Sequence, residues 1–254
     1  MNKIKAFFEK EKIEFYEFVP IDSVRIINEK KARETEGMRS VAIFLIPYKT
    51  PLPEKRNVGR FAVPYDYHLY ASELFERSRS KFGECRCYCD NSPIDEKEIA
   101  AKAGLGVIGD NSLIINKKYG SYVFIGDIFL PYELEEYSDI SEIHSCIKCG
   151  KCKEACPCRF EFEKCVSYIN QKKNITSDEE DVIRKSEVKW GCDICQDVCP
   201  MNEEAQNTPI DFFKNNLAPF VTEEIIDDMI TSGTFKNRAY AWRGEKTVKR
   251  NLKL

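Results

Sequence analysis

Cys146-Ile-Lys-Cys149-Gly-Lys-Cys152-Lys-Glu-Ala-Cys156-Pro157 has the C-x2-C-x2-C-x3-C-P spacing of a bacterial-type iron–sulfur site. Three thiolates so spaced wrap one [4Fe–4S] cube, and the fourth cysteine, turned away by the proline, reaches a different cluster. The run therefore predicts a second cluster. Its counterpart is Gly191-Cys192-Asp-Ile-Cys195-Gln-Asp-Val-Cys199-Pro200, a shorter run with three cysteines. Exchanging the two Cys-Pro cysteines gives one cluster Cys146, Cys149, Cys152 and Cys199, and gives the other Cys156, Cys192, Cys195 and one further ligand. Cys158 and Cys165 compete for that place. Cys158, close behind Cys156, would need a tight local chelate; Cys165, beyond Phe160-Glu-Phe162-Glu-Lys164, approaches from a separate turn and is the preferred ligand. Paired C-x2-C runs also hold zinc, but zinc does not account for a proline after the last cysteine of both runs.

The rest of the composition is that of a globular chain. Its 254 residues suit one large or two moderate domains. The cysteines outside the clusters are Cys85, Cys87, Cys89 and Cys158, and spare thiols beside low-potential clusters fit a reducing compartment better than a disulfide scaffold. The start, Met1-Asn-Lys-Ile-Lys-Ala-Phe-Phe-Glu-Lys10, lacks the apolar core of a signal peptide. The longest apolar run, residues 41–47, is too short to cross a bilayer. A cytoplasmic protein without membrane attachment is expected. A net charge of −3 gives no global case for nucleic-acid binding. The tail differs: Lys236, Arg238, Arg243, Lys246, Lys249, Arg250 and Lys253 face one acid, Glu245, with Tyr240 and Trp242 interleaved. Such a strip can neutralise phosphates and stack on bases, although composition alone favours a solvated helix end.

In chain order, residues 2–10 read as an amphipathic helix with Ile4, Phe7 and Phe8 on one face, residues 13–19 as a strand, and residues 23–36 as helical. Ser40-Val-Ala-Ile-Phe-Leu-Ile-Pro47 is a continuous β-prone run of the kind buried on both faces of a sheet. Pro51, Pro53 and Glu54-Lys-Arg-Asn57 mark a loop, residues 67–82 a helix, and residues 85–90 a strand. Alternation puts Cys85, Cys87 and Cys89 on one face of that strand, as small apolar packing residues. A helix from about Asp95 to Ala103 stops at Gly104, and a hairpin follows, with residues 113–115 and 121–125 flanking Asn116-Lys-Lys-Tyr-Gly120. Strands alternating with helices indicate the α/β (α+β) class. The expected domains are an α/β domain over 1–140, a ferredoxin-like double [4Fe–4S] module over 141–208, and a helical segment with the basic tail over 209–254.

Gly104-Leu-Gly106-Val-Ile-Gly109-Asp-Asn111-Ser112 contains G-x-G-x-x-G, but it follows a helix and leads into a strand, the reverse of what a dinucleotide site requires. The glycines then serve close approach of a cofactor or another backbone, or a helix stop. Asp90 closes a strand before Asn91-Ser92-Pro93. It is a candidate acid at the strand's end, and by local physics alone more readily a turn or helix cap.

Asp90-Asn-Ser-Pro-Ile94, Ala101-Lys-Ala-Gly-Leu-Gly-Val-Ile-Gly-Asp-Asn-Ser-Leu-Ile-Ile115 and Tyr119-Gly-Ser-Tyr-Val-Phe-Ile-Gly-Asp127 resemble the epoxyqueuosine reductase family. So do Arg60-Phe-Ala62, Asp66-Tyr-His68, Cys165-Val-Ser-Tyr168 and the run 191–200, in the family's order over nearly the whole chain. The resemblance implies a cytoplasmic reductase with cobalamin and two [4Fe–4S] clusters, acting on the epoxide of epoxyqueuosine in a tRNA anticodon loop and fed by a low-potential donor such as a ferredoxin or flavodoxin. It matches the family's proton donor to Asp90 and supports Cys165 as cluster ligand. Tyr67, His68, Gly104, Gly106, Gly109, Asn111 and Ser112 become the expected cobalamin contacts. Asp66-Tyr-His68 echoes the start of a motif in which histidine binds cobalt, but Ala71 replaces its glycine, so His68 is expected to hydrogen-bond rather than to ligate.

Two departures bear on substrate. Asp110 stands where the family commonly has lysine, which disfavours a phosphate-bearing substrate, and the helical repeats that help hold tRNA do not follow residue 251. They favour an alternative, a cobalamin and iron–sulfur reductase of a small molecule, reductive-dehalogenase-like. A third reading, a non-catalytic two-cluster electron carrier, leaves the α/β domain ahead of the clusters without a purpose.

Overall fold

In the computed structural model, which describes residues 2–53 and 55–254, the apolar run at 40–47 is a strand buried at every position. Met1, and Glu54 of the expected charged loop, lie outside the described residues. The chain forms two units: residues 1–47, 70–149 and 201–210, and residues 48–69, 150–200 and 211–254.

The first unit contains α1 (Asn2–Lys10), β1 (Tyr16–Pro20), α2 (Glu29–Ala32), β2 (Ser40–Pro47), α3 (Tyr67–Phe82, in this unit from Tyr70), β3 (Arg86–Cys89), α4 (Glu96–Lys102), the short strands β4 (Val107–Ile108) and β5 (Ile114–Ile115), and β6 (Val123–Leu130). Its main sheet has the order β1-β2-β6-β3 with every neighbour antiparallel. Helix α1 packs through Phe8, whose ring lies 4.6 Å from that of Tyr16 and 5.0 Å from that of Phe44. Phe44 in turn needs Gly126, its partner in register, because a Cβ there would stand 2.5 Å from the ring. A second cluster joins Val41, Ile43, Leu45, Ile125 and Phe129 of the sheet to Ile99 and Ala100 of α4. With both faces covered, β2 is apolar throughout rather than alternating.

Three expectations change. Strand β1 starts at Tyr16 rather than at residue 13. The stretch 23–36 is no continuous helix but one turn of α2 beside 3-10 turns at Ile21–Ser23 and Arg33–Thr35, since its charged residues offer no apolar stripe to bury. The hairpin at 113–125 does not form: β5 pairs with β4, and β6 pairs with β2 and β3. Only its turn survives, Asn116 and Gly120 exchanging both backbone hydrogen bonds at 2.9 Å. A run as apolar as β6 is stabilised by filling both of its hydrogen-bonding edges and both faces, which a two-stranded hairpin cannot do.

The second unit contains α5 (Lys151–Ala155), α6 (Val166–Ile169), α7 (Ser177–Lys185), α8 (Ile194–Asp197), α9 (Glu223–Thr231) and α10 (Glu245–Lys253). Its core gathers Val58, Trp190, Val221, Ile226, Tyr240 and Val248. Such short helices leave much backbone unpaired, and buried asparagines take it up: Asn57 Nδ2 donates to the Val221 carbonyl at 2.7 Å while its Oδ1 accepts from the Val221 amide at 2.8 Å. The units do not follow the expected divisions at 140 and 208. A bridge between Val58 and Trp190 ties residues 48–69 to the second unit. Asn202 ties 201–210 to the first, accepting from the Ser121 amide and donating to its hydroxyl, each at 2.8 Å. Among the described residues no helix is long and apolar enough to cross a membrane.

Candidate functional site

In the second unit the run around Cys192 is fixed before any cluster is considered. Gly191 is left-handed (φ 73°), and a Cβ on it would meet the Phe61 ring at 2.7 Å. Asn170 grips its backbone from both sides, donating to the Gly191 carbonyl at 2.8 Å and accepting from its amide at 3.1 Å. Asn251 of α10 holds Asn170 in turn, donating to its carbonyl at 2.6 Å and to that of Lys189 at 2.9 Å. Asp193, between Cys192 and Cys195, is buried. Burial pushes its carboxyl up to about 6, and the Arg60 amide (2.6 Å) and Arg56 guanidinium (3.1 Å) oppose the rise.

Four of the cysteines that the spacing offers to one cluster gather around that loop. Sγ of Cys156 and Sγ of Cys158 are 3.3 Å apart. Arg159 and Phe160 are both left-handed, at φ 47° and 68°. Burial raises the Cys156 thiol, but the amides of Phe160, Cys158 and Arg159 and the Cys158 thiol outweigh it and bring Cys156 below the ordinary thiol value. Cys158 is pushed up to about 11 by burial, then by Cys156 and Cys165. Cys192 is pushed up to about 11 by burial, with Cys165 and Cys156 among the charges it senses. Cys156, Cys158, Cys165 and Cys192 thus share one electrostatic neighbourhood, with Cys195 following in α8, and both competitors for the eighth ligand are in it. The donor set fits a [4Fe–4S] cluster: sulfur only, with amides that favour thiolate. Among the described residues no three His, Cys, Asp or Glu side chains converge at the spacing of a single ion. The cysteines expected at the other cluster are distributed over both units, Cys146 and Cys149 in the first, Cys152 and Cys199 in the second. The Cys146 amide is anchored on the Ile108 carbonyl at 3.0 Å.

Asp90 follows β3 in the left-handed region (φ 67°) and is exposed, a conformation that costs an ordinary residue about 1–3 kcal/mol and recurs at active sites. The cap of α4 is Asp95, which accepts from the Glu98 amide at 3.0 Å. The helix-cap reading of Asp90 is therefore replaced. Behind the turn at 90–92 lie two carboxyls that sequence reasoning passed over, Glu96 and Asp127. Burial pushes Glu96 up to about 9, reinforced by Asp127 and Asp90 and opposed by the Asp90 and Ser92 amides. Burial pushes Asp127 up to about 8. The signal available was an acid at the centre of the apolar run 123–130.

The glycine turn is largely occupied by its own chain. A Cβ on Gly106 would stand 2.6 Å from the Ile115 carbonyl oxygen, and one on Gly109 2.4 Å from Asn111 Oδ1. Those two glycines admit β5 and the turn itself. Gly104 (φ 81°) has nothing within 4 Å of a Cβ and is the open one. Gly104 and Gly106 line a cavity of about 490 Å³ with Phe15, Lys117 and His144, whereas Gly109, Asn111 and Ser112 are not in its wall. Tyr67 and His68 stack with ring centroids 4.2 Å apart, and Asp66 Oδ1 takes both the His68 amide (3.0 Å) and Nδ1 (2.8 Å). His68 is thus engaged as a hydrogen-bonding residue in the second unit.

No family model matches the chain. Curated relatives do. It is 32% identical over 234 residues to epoxyqueuosine reductase from Leadbetterella byssophila, spanning 85% of this chain and 77% of the relative. It is 36% identical over 171 residues to epoxyqueuosine reductase from Pseudomonas aeruginosa, spanning 61% of this chain and 46% of the relative. Among solved structures, epoxyqueuosine reductase from Streptococcus thermophilus superposes with a TM-score of 0.76 at 21% identity, covering 99% of this chain and 79% of that one. An epoxyqueuosine reductase bound to an epoxyqueuosine-modified tRNA-Tyr stem loop gives 0.75 at 19% over the same shares. The Bacillus subtilis protein, captured with its catalytic aspartate loop swung out of the active site, gives 0.73 at 19% over those shares. The structural likenesses establish the mixed α/β fold; with the curated relatives they make the chain an oxidoreductase. It belongs to the epoxyqueuosine reductase family.

Proposed function

We propose that this chain reduces the epoxide of epoxyqueuosine in tRNA to the alkene of queuosine, with Asp90 as general acid. The observation that carries the reading is Asp90 itself: an exposed carboxyl held in a strained conformation at a strand end, with the helix cap supplied by Asp95 instead. Removing the epoxide oxygen takes two electrons and two protons and releases water, and a carboxylic acid near the oxygen supplies one proton as the ring opens, a contribution of typically 10²–10⁴-fold. Cobalamin, with Tyr67, His68 and the open Gly104 as its proposed contacts, would supply the electron-donating centre, and two [4Fe–4S] clusters would relay electrons from a ferredoxin or flavodoxin; Gly106, Gly109, Asn111 and Ser112, engaged within their own turn, are not among those contacts. Cys146, Cys149, Cys152 and Cys199 would hold one cluster and Cys156, Cys165, Cys192 and Cys195 the other. The cytoplasm, where tRNA is modified, is the proposed location.

A second reading, reduction of a small-molecule substrate, is favoured by the fate of the basic tail. Arg238 is buried and donates to the carbonyls of Val63 (3.1 Å) and Asn216 (2.6 Å). Arg250 donates to the carbonyls of Lys172 and Lys173, Lys249 pairs with Asp227, and Lys253 pairs with Glu223. Fewer cations remain for phosphate than the sequence offers. The test is anaerobic single turnover on epoxyqueuosine-containing tRNA after reconstitution of clusters and cobalamin, beside Asp90→Asn. Queuosine formed by the natural protein and lost in the variant supports the first reading. Turnover of the free nucleoside but not of the tRNA moves the assignment to the second, and equal turnover by Asp90→Asn removes Asp90 from the chemistry.

A further inference from the structure

The sheet of the first unit buries an acid that the proposed reaction does not use. Asp127 lies in the middle of β6, opposite Tyr88 of β3 and Ile43 of β2, fully buried, with neither carboxyl oxygen in a hydrogen bond. Alternation along β6 puts it on the face of Ile125 and Phe129, against which α4 packs. Glu96 opens α4, and one of its oxygens is likewise buried without a partner. Its carboxyl lies within the field of Asp127 on one side and of the Asp90 and Ser92 amides on the other. The Ser92 hydroxyl, which accepts from the Ile94 amide at 3.3 Å, and the Tyr88 amide are both near enough to Asp127 to temper its rise, though neither closes a hydrogen bond to it. A carboxylate so desolvated and without a paired cation keeps a proton instead of ionising.

Resting on the reading of Asp90 as the acid, we propose that Glu96 and Asp127 are positioning residues: a proton-holding carboxyl pair that clamps the turn at 90–92 and thereby sets where the Asp90 carboxyl points. While the pair keeps a proton, Glu96 can take the Asp90 and Ser92 amides without a second negative charge behind them. When both ionise, they repel each other and Asp90, and the strained left-handed turn loses what holds it.

The surroundings agree with this. Burial raises both carboxyls and Asp127 raises Glu96 further, so their proton loss belongs to the two groups together. From α2, Lys31 places Nζ on the Asn91 carbonyl at 2.5 Å and 5.4 Å above the Tyr88 ring, drawing Asp127 down without pairing with it. From β3, Tyr88, whose hydroxyl donates to Glu34 at 3.1 Å, and Cys87 are both raised, with Asp127 among the causes. On α4, Glu98 and the capping Asp95 are turned to Arg25, and Glu98 also to Lys102. The cations nearby are thus committed elsewhere, and Ile43 of β2 is apolar.

The test uses the full chain without cofactors. Amide hydrogen exchange at residues 90–92 is followed from below pH 8 to above pH 9, against an unfolded peptide control, for the natural protein, Asp127→Asn, Glu96→Gln and Asp90→Asn. The natural protein should lose about tenfold or more of its protection beyond the control. Asp127→Asn, which cannot ionise, should keep it. Infrared difference spectra on a pH jump should show a protonated carboxyl band disappearing in the natural protein and absent from the doubly substituted Glu96→Gln, Asp127→Asn protein. Protection that merely follows the control, an Asp127→Asn profile identical to the natural one, or no protonated carboxyl below pH 8 overturns the proposal. Asp90→Asn separates the two readings. If it turns over normally in the reconstituted single-turnover assay, Asp90 is not the acid while the clamp can still register in exchange; if it is inactive there and the natural protein's exchange profile is flat, the clamp alone fails.

Discussion

Asp127→Asn should make the protein more stable in alkali, which is unusual for a substitution at a fully buried position. The Asp127 carboxyl moves from an ordinary 3.8 to about 8 on folding, chiefly by burial. An acid whose folded pKa lies above its unfolded one makes the folded chain bind more protons, so its stability falls as pH rises from about 4 to about 8. At about 1.4 kcal/mol per tenfold change in proton affinity, the ceiling on that loss is about 6 kcal/mol. Sharing one proton with Glu96 and local relaxation reduce the realised part to roughly a third, ~2 kcal/mol. The asparagine is neutral at every pH and also removes the charge that helps raise Glu96. Near pH 5 the variant should equal the natural protein or lose ~1 kcal/mol, the cost of a buried amide with incomplete hydrogen bonds. Above pH 9 it should gain ~2 kcal/mol, a rise of ~4–8 °C in Tm for a chain of this size. Thermal unfolding followed by circular dichroism across that range measures it. A natural protein equally stable at both ends, or a variant penalised as heavily in alkali as in acid, would refute the reasoning.

Three further substitutions probe the cluster ligands and the sheet. Cys165→Ser should lower the iron of the reconstituted protein by about half, one cluster of two, whereas Cys158→Ser should leave it unchanged; iron and sulfide analysis with the visible spectrum decides, and the reverse pattern makes Cys158 the ligand. Gly126→Ala would bring a methyl to 2.5 Å from Phe44 and should cost ~1–3 kcal/mol in urea unfolding, and a neutral result would mean that β2 and β6 shift apart freely.

What the sequence made legible was local in physical origin. Helix α1 with Ile4, Phe7 and Phe8 buried, the run Ser40–Pro47 and the stop of α4 before Gly104 each follow from a few adjacent residues whose periodicity or backbone freedom leaves one good solution. The proposed cysteine ligation has an origin of the same local kind, because chelation of a cube is a short-range constraint. The failures are where the deciding partner is distant. Residues 121–125 read as a hairpin arm because the turn Asn116–Gly120 is strong, yet β6 is claimed by β2, some eighty positions earlier in its register. The unit boundaries depend on Asn57 finding Val221 and Asn202 finding Ser121, pairings that no window of sequence contains. Glu96 was hidden for the same reason: as the first residue of α4 after the Asp95 cap it reads as an ordinary first-turn acid, and only the fold brings Asp127 to it.

Asp193 supplies the comparison that gives Asp127 its meaning. Both are buried aspartates, each beside residues assigned to the chemistry, and each raised by burial. At Asp193 the protein supplies the Arg60 amide and the Arg56 guanidinium, and the carboxyl settles at about 6. That is a structural anchor: charged at neutral pH, compensated, and fixing the loop that carries Cys192 and Cys195. At Asp127, Lys31, which draws the carboxyl down, is engaged with the Asn91 carbonyl, Glu96 within its field is another acid, and burial raises the carboxyl to about 8. A packed apolar residue at that place in β6 would stabilise the sheet more than an uncompensated acid does. Had Asp127 served only packing, substitution by a residue that cannot ionise, such as valine, would leave the alkaline loss of protection at residues 90–92 in place; the clamp requires that the substitution abolish that loss where the sheet remains folded.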